Sequence, residues 1–227
     1  MGIDISHTGF SSSKASGVAH IWVDGNGENR IVIIPGANYE LDAETAARAV
    51  ASIEDLHVVI GQCEIKQEVT IAAFREAKRR GAVTILNPAP YHLLHPELLE
   101  FTDWIVPNET EFCEMHPNKL APESDAALTS FRPGKKTIVT LGSRGAAFVS
   151  ESGDVSYISA PVVDQVADTT GAGDAFVGTF ATGIGRGDDG VSAAARACRV
   201  ASISVTKKGA QSSYPPYAEL EQQSWFV

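Results

Sequence analysis

The spacing of apolar positions changes twice within the first sixty residues. Residues 17–23 (GVAHIWV) and 31–34 (IVII) are short β-rich runs. The DGNGEN between them carries two turn dipeptides, so the segment predicts a β-hairpin. After PGAN at 35–38, Asp42 stands where a helix N-cap belongs, and Ala46, Ala47, Val50 and Ile53 keep helical spacing. Strand and helix periods then alternate. HVVIGQ (57–62), AVTILN (82–87), WIV (104–106) and TIVTLG (137–142) predict strands. Val69, Ala72, Ala73 and Ala77 predict a helix ending near Gly81, and another helix is expected from Asn108. Residues 146–160 read as short antiparallel strands, with helices after Thr170 and after Asp189. Such repetition predicts an α/β fold with a mainly parallel sheet covered by helices. Ligands in these sheets sit at the carboxyl ends of the strands. The candidate site therefore falls at Gln62–Glu64, Asn87–Pro88, Asn108–Glu111 and Gly142–Gly145.

Composition narrows the class. At 227 residues, 44% hydrophobic and 20% charged, the chain reads as one soluble globular domain, 1–227. A net charge of -10 argues against a duplex nucleic-acid partner. It leaves room for a small anion, because backbone N–H groups bind phosphate inside acidic proteins. Cys63, Cys113 and Cys198 are scattered and form no CxxC pair, so neither a zinc site nor a disulfide framework is expected and a reduced cytoplasmic setting is. His92 and His95 share a proline-bounded loop and read as surface residues, not metal ligands. No apolar run approaches the roughly 20 residues of a membrane span, so no membrane partner is expected.

The most chemically loaded segment is D-T-T-G-A-G-D-A-F at 168–176. Small residues at Gly171, Ala172 and Gly173 let the backbone come close to a ligand. The following helix turns its free N–H groups and positive dipole end toward the same place, which suits phosphoryl oxygens. Asp174 lies in the first turn, within reach of a hydroxyl held there, and can take its proton. A glycine-rich helix start with a dipole-matching acid is the plainer account. Asn108 and Glu111 similarly read as a capping pair, Thr140–Gly145 as a tight turn, Asn87–Pro90 as a proline-rich turn, 207–213 (KKGAQSS) as a basic turn, and Glu64 as a surface acid.

The long string decides between these accounts. It resembles, at every position, the signature of the carbohydrate kinases that include ribokinase and adenosine kinase, and the whole chain is similar to the ribokinase branch through NPAP, NETE, TLGSRG and KKGAQSS. No GxxxxGK[ST] string is present, and that family uses none. The resemblance implies a ribokinase-like three-layer sandwich with a partial β lid, and ATP-dependent phosphorylation of ribose to ribose 5-phosphate. It implies Asp174 as catalytic base and Gly171, Ala172 and Gly173 as anion hole. Asn108, Glu111, Thr140, Gly142, Ser143, Gly145, Gly173 and Lys208 would serve the nucleotide, and Glu64, Asp168 and Asp174 the sugar. Glu111 would organise Mg²⁺ through water. Asp168, Thr170, Ser204, Gly209 and Ser213 would ring an activating K⁺. Asn87 would lie near the phosphates. Cys198 falls where relatives place an adenine-stacking side chain.

The chain also departs from that pattern. Family members begin with a βα unit and carry a G-G-K-G-x-N stretch that grips sugar hydroxyls, and neither is found here. The expectation is an N-terminally shortened fold in which hairpin 17–34 is the remaining half of the lid, the sheet has an exposed edge, and homodimer formation through the lid is compromised. A catalytically impaired nucleotide-binding fragment is the alternative function. A nicotinamide-dependent dehydrogenase is disfavoured, because GAGD lacks G-x-G-x-x-G and lies near the C-terminus.

Overall fold

The computed structural model of the chain describes residues 2–23, 29–131 and 133–226. Strands β1 (Val18–Val23) and β2 (Asn29–Ile34) pair antiparallel, with Val18 opposite Ile34 and Val23 opposite Asn29. The hairpin expectation is therefore met, while its turn at 24–28 lies outside the described residues. Trp22 is 63% exposed, and Val18, Val32, Ile33 and Ile34 are also exposed.

The main sheet has six strands in sequential order: β3 (Val58–Gly61), β4 (Val83–Leu86), β5 (Trp104–Ile105), β6 (Lys136–Thr140), β7 (Ala146–Val149) and β8 (Val155–Ile158). The first four run parallel, and β7 and β8 return antiparallel, as the apolar pattern predicts. Successive side chains on a strand face opposite ways. Ile85 and Ile138 accordingly point into one core with Trp104, Phe176, Val177 and Phe180, while Leu86 packs with Ile71, Phe74 and Leu98, and Val139 with Phe112, Leu128 and Phe131. These clusters make three layers. Helices α6 (Ala172–Gly185) and α7 (Gly190–Ser204) cover one face. The other carries α2 (Gln67–Arg79), α3 (Pro96–Glu100), α4 (Glu109–Met115) and α5 (Asp125–Ser130). Helix α1 (Ala43–Ser52) packs on α2, and Asp42 caps it by accepting from Thr45 N at 2.8 Å. A short α8 (Tyr217–Leu220) places Leu220 against Val200.

Strand β3 is the outer strand of the described sheet, and its Ile60 is 44% exposed, in line with the expected open edge. No helix among the described residues is long and apolar enough to cross a membrane.

Candidate active site

The carboxyl ends of β3, β4, β5 and β6 lie side by side, so the residues just beyond them converge. Gln62 follows β3, and Asn87 follows β4 with its N–H donating to Gly61 O at 2.9 Å. Asn108 follows β5 and bridges to Thr140 at the end of β6, whose N–H donates to Pro107 O at 2.9 Å. The four polar segments singled out in the sequence therefore share one rim.

Helix α6 opens at this rim. Gly171 is its N-cap with φ +80°, a left-handed conformation for which glycine is suited, so no side chain caps the first N–H groups. A Cβ at Gly171 would come 2.7 Å from Tyr214 Oη. Asp174 is exposed in the first turn, and its Oδ1 accepts from Gln62 Nε2 at 3.5 Å. Burial, and then the nearby Asp174 charge, push the Tyr214 phenol up from its ordinary value.

Beside the helix start lies a cavity of about 400 Å³, with Thr140, Gly142, Ser143 and Gly145 on one side. Ala172, Gly173 and Phe176 bound it at α6, and Cys198, Ala201 and Val205 bound it at α7. Its outer wall is the segment Pro161, Val162, Val163 and Val166. No backbone N–H of 162–166 donates to a backbone acceptor among the described residues, while Ala167 N ties the segment down at Val205 O, 2.8 Å. Cys198 lines the cavity, and burial pushes its thiol up to about 11. Gly145 has φ +99°, and a Cβ there would come 2.0 Å from Ile158 O, so β8 is packed directly on this turn.

Asn108 and Glu111 form a complete capping box. Asn108 Oδ1 accepts from Glu111 N at 2.9 Å, and Glu111 Oε2 accepts from Asn108 N at 2.8 Å. Glu111 Oε1 also accepts from Asn108 Nδ2 at 3.0 Å. Glu111 is 7% exposed, and burial pushes its carboxyl up from the usual range. Neither residue lines the cavity, and neither does the exposed Lys208. Glu64 is exposed two residues beyond Gln62.

Of the residues expected around a monovalent cation, Asp168, Thr170 and Gly209 are joined directly by hydrogen bonds. Asp168 Oδ1 accepts from Thr170 N and Oδ2 from Gly209 N, both at 2.9 Å. Hydrogen bonds from Thr170, then Gly209, hold the Asp168 carboxyl down to about 2. Asp168 N also lies 3.3 Å from Val205 O, which brings the end of α7 and its buried Ser204 alongside. The hydroxyls of Ser204 and Ser213 donate to Ala201 O and Ala210 O at 2.8 and 2.7 Å. Their oxygens keep free lone pairs. Among the described residues no group of three or more His, Cys, Asp or Glu side chains gathers into a metal cluster, and this set relies instead on hydroxyl and backbone oxygens.

Two contacts were not foreseen from the sequence. Gln62 reaches Asp174, and Tyr214 stands behind Gly171; neither lies in a local pattern that would have revealed it.

The sequence pattern of the pfkB family of carbohydrate kinases matches residues 1–216. A ribokinase of Schizosaccharomyces pombe is 34% identical over 227 residues, 97% of this chain and 71% of that protein. A deoxyribokinase of Salmonella typhi is 35% identical over 97% of this chain and 73% of its own length. The structure of Arabidopsis thaliana ribokinase complexed with ribose and ATP superposes with a TM-score of 0.77 at 28% identity, covering 91% of this chain and 68% of that one. The class defined by this fold is the ATP-dependent sugar kinase. The chain belongs to the pfkB family of carbohydrate kinases, within its ribokinase-like branch.

Proposed function

We propose that the chain is the nucleotide-binding and catalytic part of a ribose kinase, transferring the terminal phosphoryl group of ATP to a ribose hydroxyl. The observation that carries this reading is Asp174 in the first turn of α6, beside an uncapped N–H turn and an apolar cavity sized for a nucleotide base. Phosphoryl transfer asks little covalent chemistry of a protein beyond alignment and charge stabilisation. The sugar hydroxyl oxygen bonds to the terminal phosphorus as the bond to the bridging oxygen of ADP breaks. The hydroxyl proton passes to the Asp174 carboxylate. The N–H groups of Gly171 and Gly173 receive the charge that builds on the phosphoryl oxygens, while Ala172, whose N–H donates to Thr169 O at 3.2 Å, would have to release that bond to join them. The base occupies the cavity between Gly142–Gly145 and Cys198, and Glu64 and Asp168 serve the sugar.

Mg²⁺, when bound, would supply charge neutralisation at the phosphates. The Glu111 carboxyl already accepts two hydrogen bonds from Asn108, which fits water-mediated organisation better than direct ligation. K⁺ would be held by Asp168, Thr170, Ser204, Gly209 and Ser213, whose ionised carboxylate and available hydroxyl oxygens suit a hard cation. Assays at equal ionic strength in potassium and in sodium alone test this, and equal rates would remove the potassium site. Lys208 would meet the phosphates from outside the cavity. The exposed apolar hairpin reads as a surface for a second copy of the chain, since a two-stranded ribbon is marginal alone. Free, buried thiols at Cys63 and Cys198 suit a reducing cytoplasm.

Deoxyribose is the second reading for the substrate, favoured by the 35% identity with a deoxyribokinase. ADP release measured with ribose and with deoxyribose, for the wild type and Asp174→Asn, tests both. Turnover of Asp174→Asn at the wild-type rate would remove Asp174 from the mechanism.

A further inference from the structure

Gln62 takes no part in the phosphoryl-transfer steps proposed for Asp174, yet it is the only described side chain hydrogen-bonded to Asp174. Its geometry is set by a chain of contacts whose directions follow from chemistry. Asn87 Nδ2 donates to Val106 O at 2.8 Å. A backbone carbonyl only accepts, so the Asn87 amide has one allowed orientation, with Oδ1 turned the other way. That Oδ1 faces Gln62 Nε2 at 3.2 Å. Gln62 must therefore present its NH₂ group on this side, and an NH₂ has a second hydrogen. The second hydrogen points to Asp174 Oδ1 at 3.5 Å. The flip of both amides is thus fixed by one carbonyl at the end of β5.

We propose that Gln62 is a positioning residue for phosphoryl transfer: its amide, oriented by Asn87, holds the Asp174 carboxylate in one rotamer facing the strand ends. The proposal rests on Asp174 acting as the base. The contact at 3.5 Å is long for a hydrogen bond, and catalytic contacts in ligand-free enzymes commonly lengthen in this way and tighten with substrate. Asp174 is exposed, so without Gln62 its carboxylate samples several rotamers and spends less time aligned with a hydroxyl. Gln62, Asn87 and Val106 each directly follow a strand, and Asn87 N and Val106 N continue the sheet's bonding at Gly61 O and Leu86 O. This gives a mobile surface carboxylate a rigid reference.

Two arms test the proposal on the whole chain. In the first, ¹³C spectra read the Asp174 carboxyl resonance, assigned by its loss in Asp174→Asn. Gln62→Leu should shift that resonance. In the second, ATP-dependent sugar phosphorylation is measured. Gln62→Leu should lower kcat roughly 10- to 100-fold, the scale of a small misplacement of a reacting group. KM for sugar and for ATP should stay within about threefold, because Asp174 alignment matters to the transition state and little to ground-state binding. Gln62→Glu keeps the shape but sets an oxygen against two oxygens, and kcat should fall further. Asn87→Ser leaves Gln62 in place but free to turn, and should give a smaller loss with the same split. An unshifted Asp174 resonance in Gln62→Leu, or losses confined to KM, would overturn the proposal. A wild-type chain without sugar-dependent turnover counts against the kinase reading, while the carboxyl resonance still decides whether Gln62 holds Asp174.

Discussion

Gly145 and Gly173 border the same cavity under opposite constraints. At Gly145, φ is +99° and an added Cβ would sit 2.0 Å from Ile158 O and 2.6 Å from Ala160 N. Gly145→Ala therefore has to displace the end of β8, and about 1–3 kcal/mol of stability should be lost, read as a lower urea midpoint. At Gly173 an added Cβ meets nothing within 4 Å, and the residue is already helical. Gly173→Ala should leave stability unchanged or raise it by up to about 1 kcal/mol. Its methyl group nonetheless enters the path of a ligand approaching the N–H turn. Calorimetric titration with a non-hydrolysable ATP analogue should show weaker binding by a chain that melts no earlier. Binding equal to wild type would place the phosphates elsewhere.

Among the elements, the loop pair 168–170 and 207–213 is held by one carboxylate. Asp168 joins them through Thr170 N and Gly209 N, and its folded value of about 2 lies below the roughly 3.9 of an unfolded aspartate. Its contribution is therefore present above pH 4 and is lost as pH falls toward 2. Asp168→Asn should be less stable than wild type at neutral pH and lose less between pH 4 and 2, which denaturant titrations across that range can measure. Helix α7 depends similarly on Asp189, which accepts from Val191 N at 2.9 Å and Ser192 N at 3.0 Å; Asp189→Ala should cost about 1 kcal/mol. Elements of this kind were legible in the sequence where a cap or a β-branched run marks them. Asp42, Asn108 and Asp189 announced their helices, and VVIG, VTIL and KTIVT their strands. Helices α3 and α5 were not, because PELLE and DAALTS, at 5 and 6 residues, are too short for a 3.6-residue period to show. The site was legible to the extent that it is local. The glycine turn and Asp174 lie in one string, whereas Gln62 and Tyr214 reach that string only through the fold.

Across the whole molecule, the first hairpin and the outer strand β3 both present exposed apolar side chains. Sedimentation velocity should show concentration-dependent association that Trp22→Asp weakens, since Trp22 is the largest exposed apolar group on the hairpin. An unchanged sedimentation profile would remove the hairpin as the contact surface. The way the site is threaded along the chain has a further consequence. Every residue lining the 400 Å³ cavity falls between Thr140 and Val205, while Gln62 meets Asp174 across a separation of 112 residues. The cavity is thus closed by near neighbours in the chain, and the catalytic alignment by distant ones. Loosening the early strands costs alignment first and leaves the cavity's own walls in contact. On a rising urea gradient, sugar phosphorylation should disappear at a lower concentration than the fluorescence change of a bound nucleotide analogue, so that the chain forgets how to transfer a phosphoryl group before it forgets how to hold one.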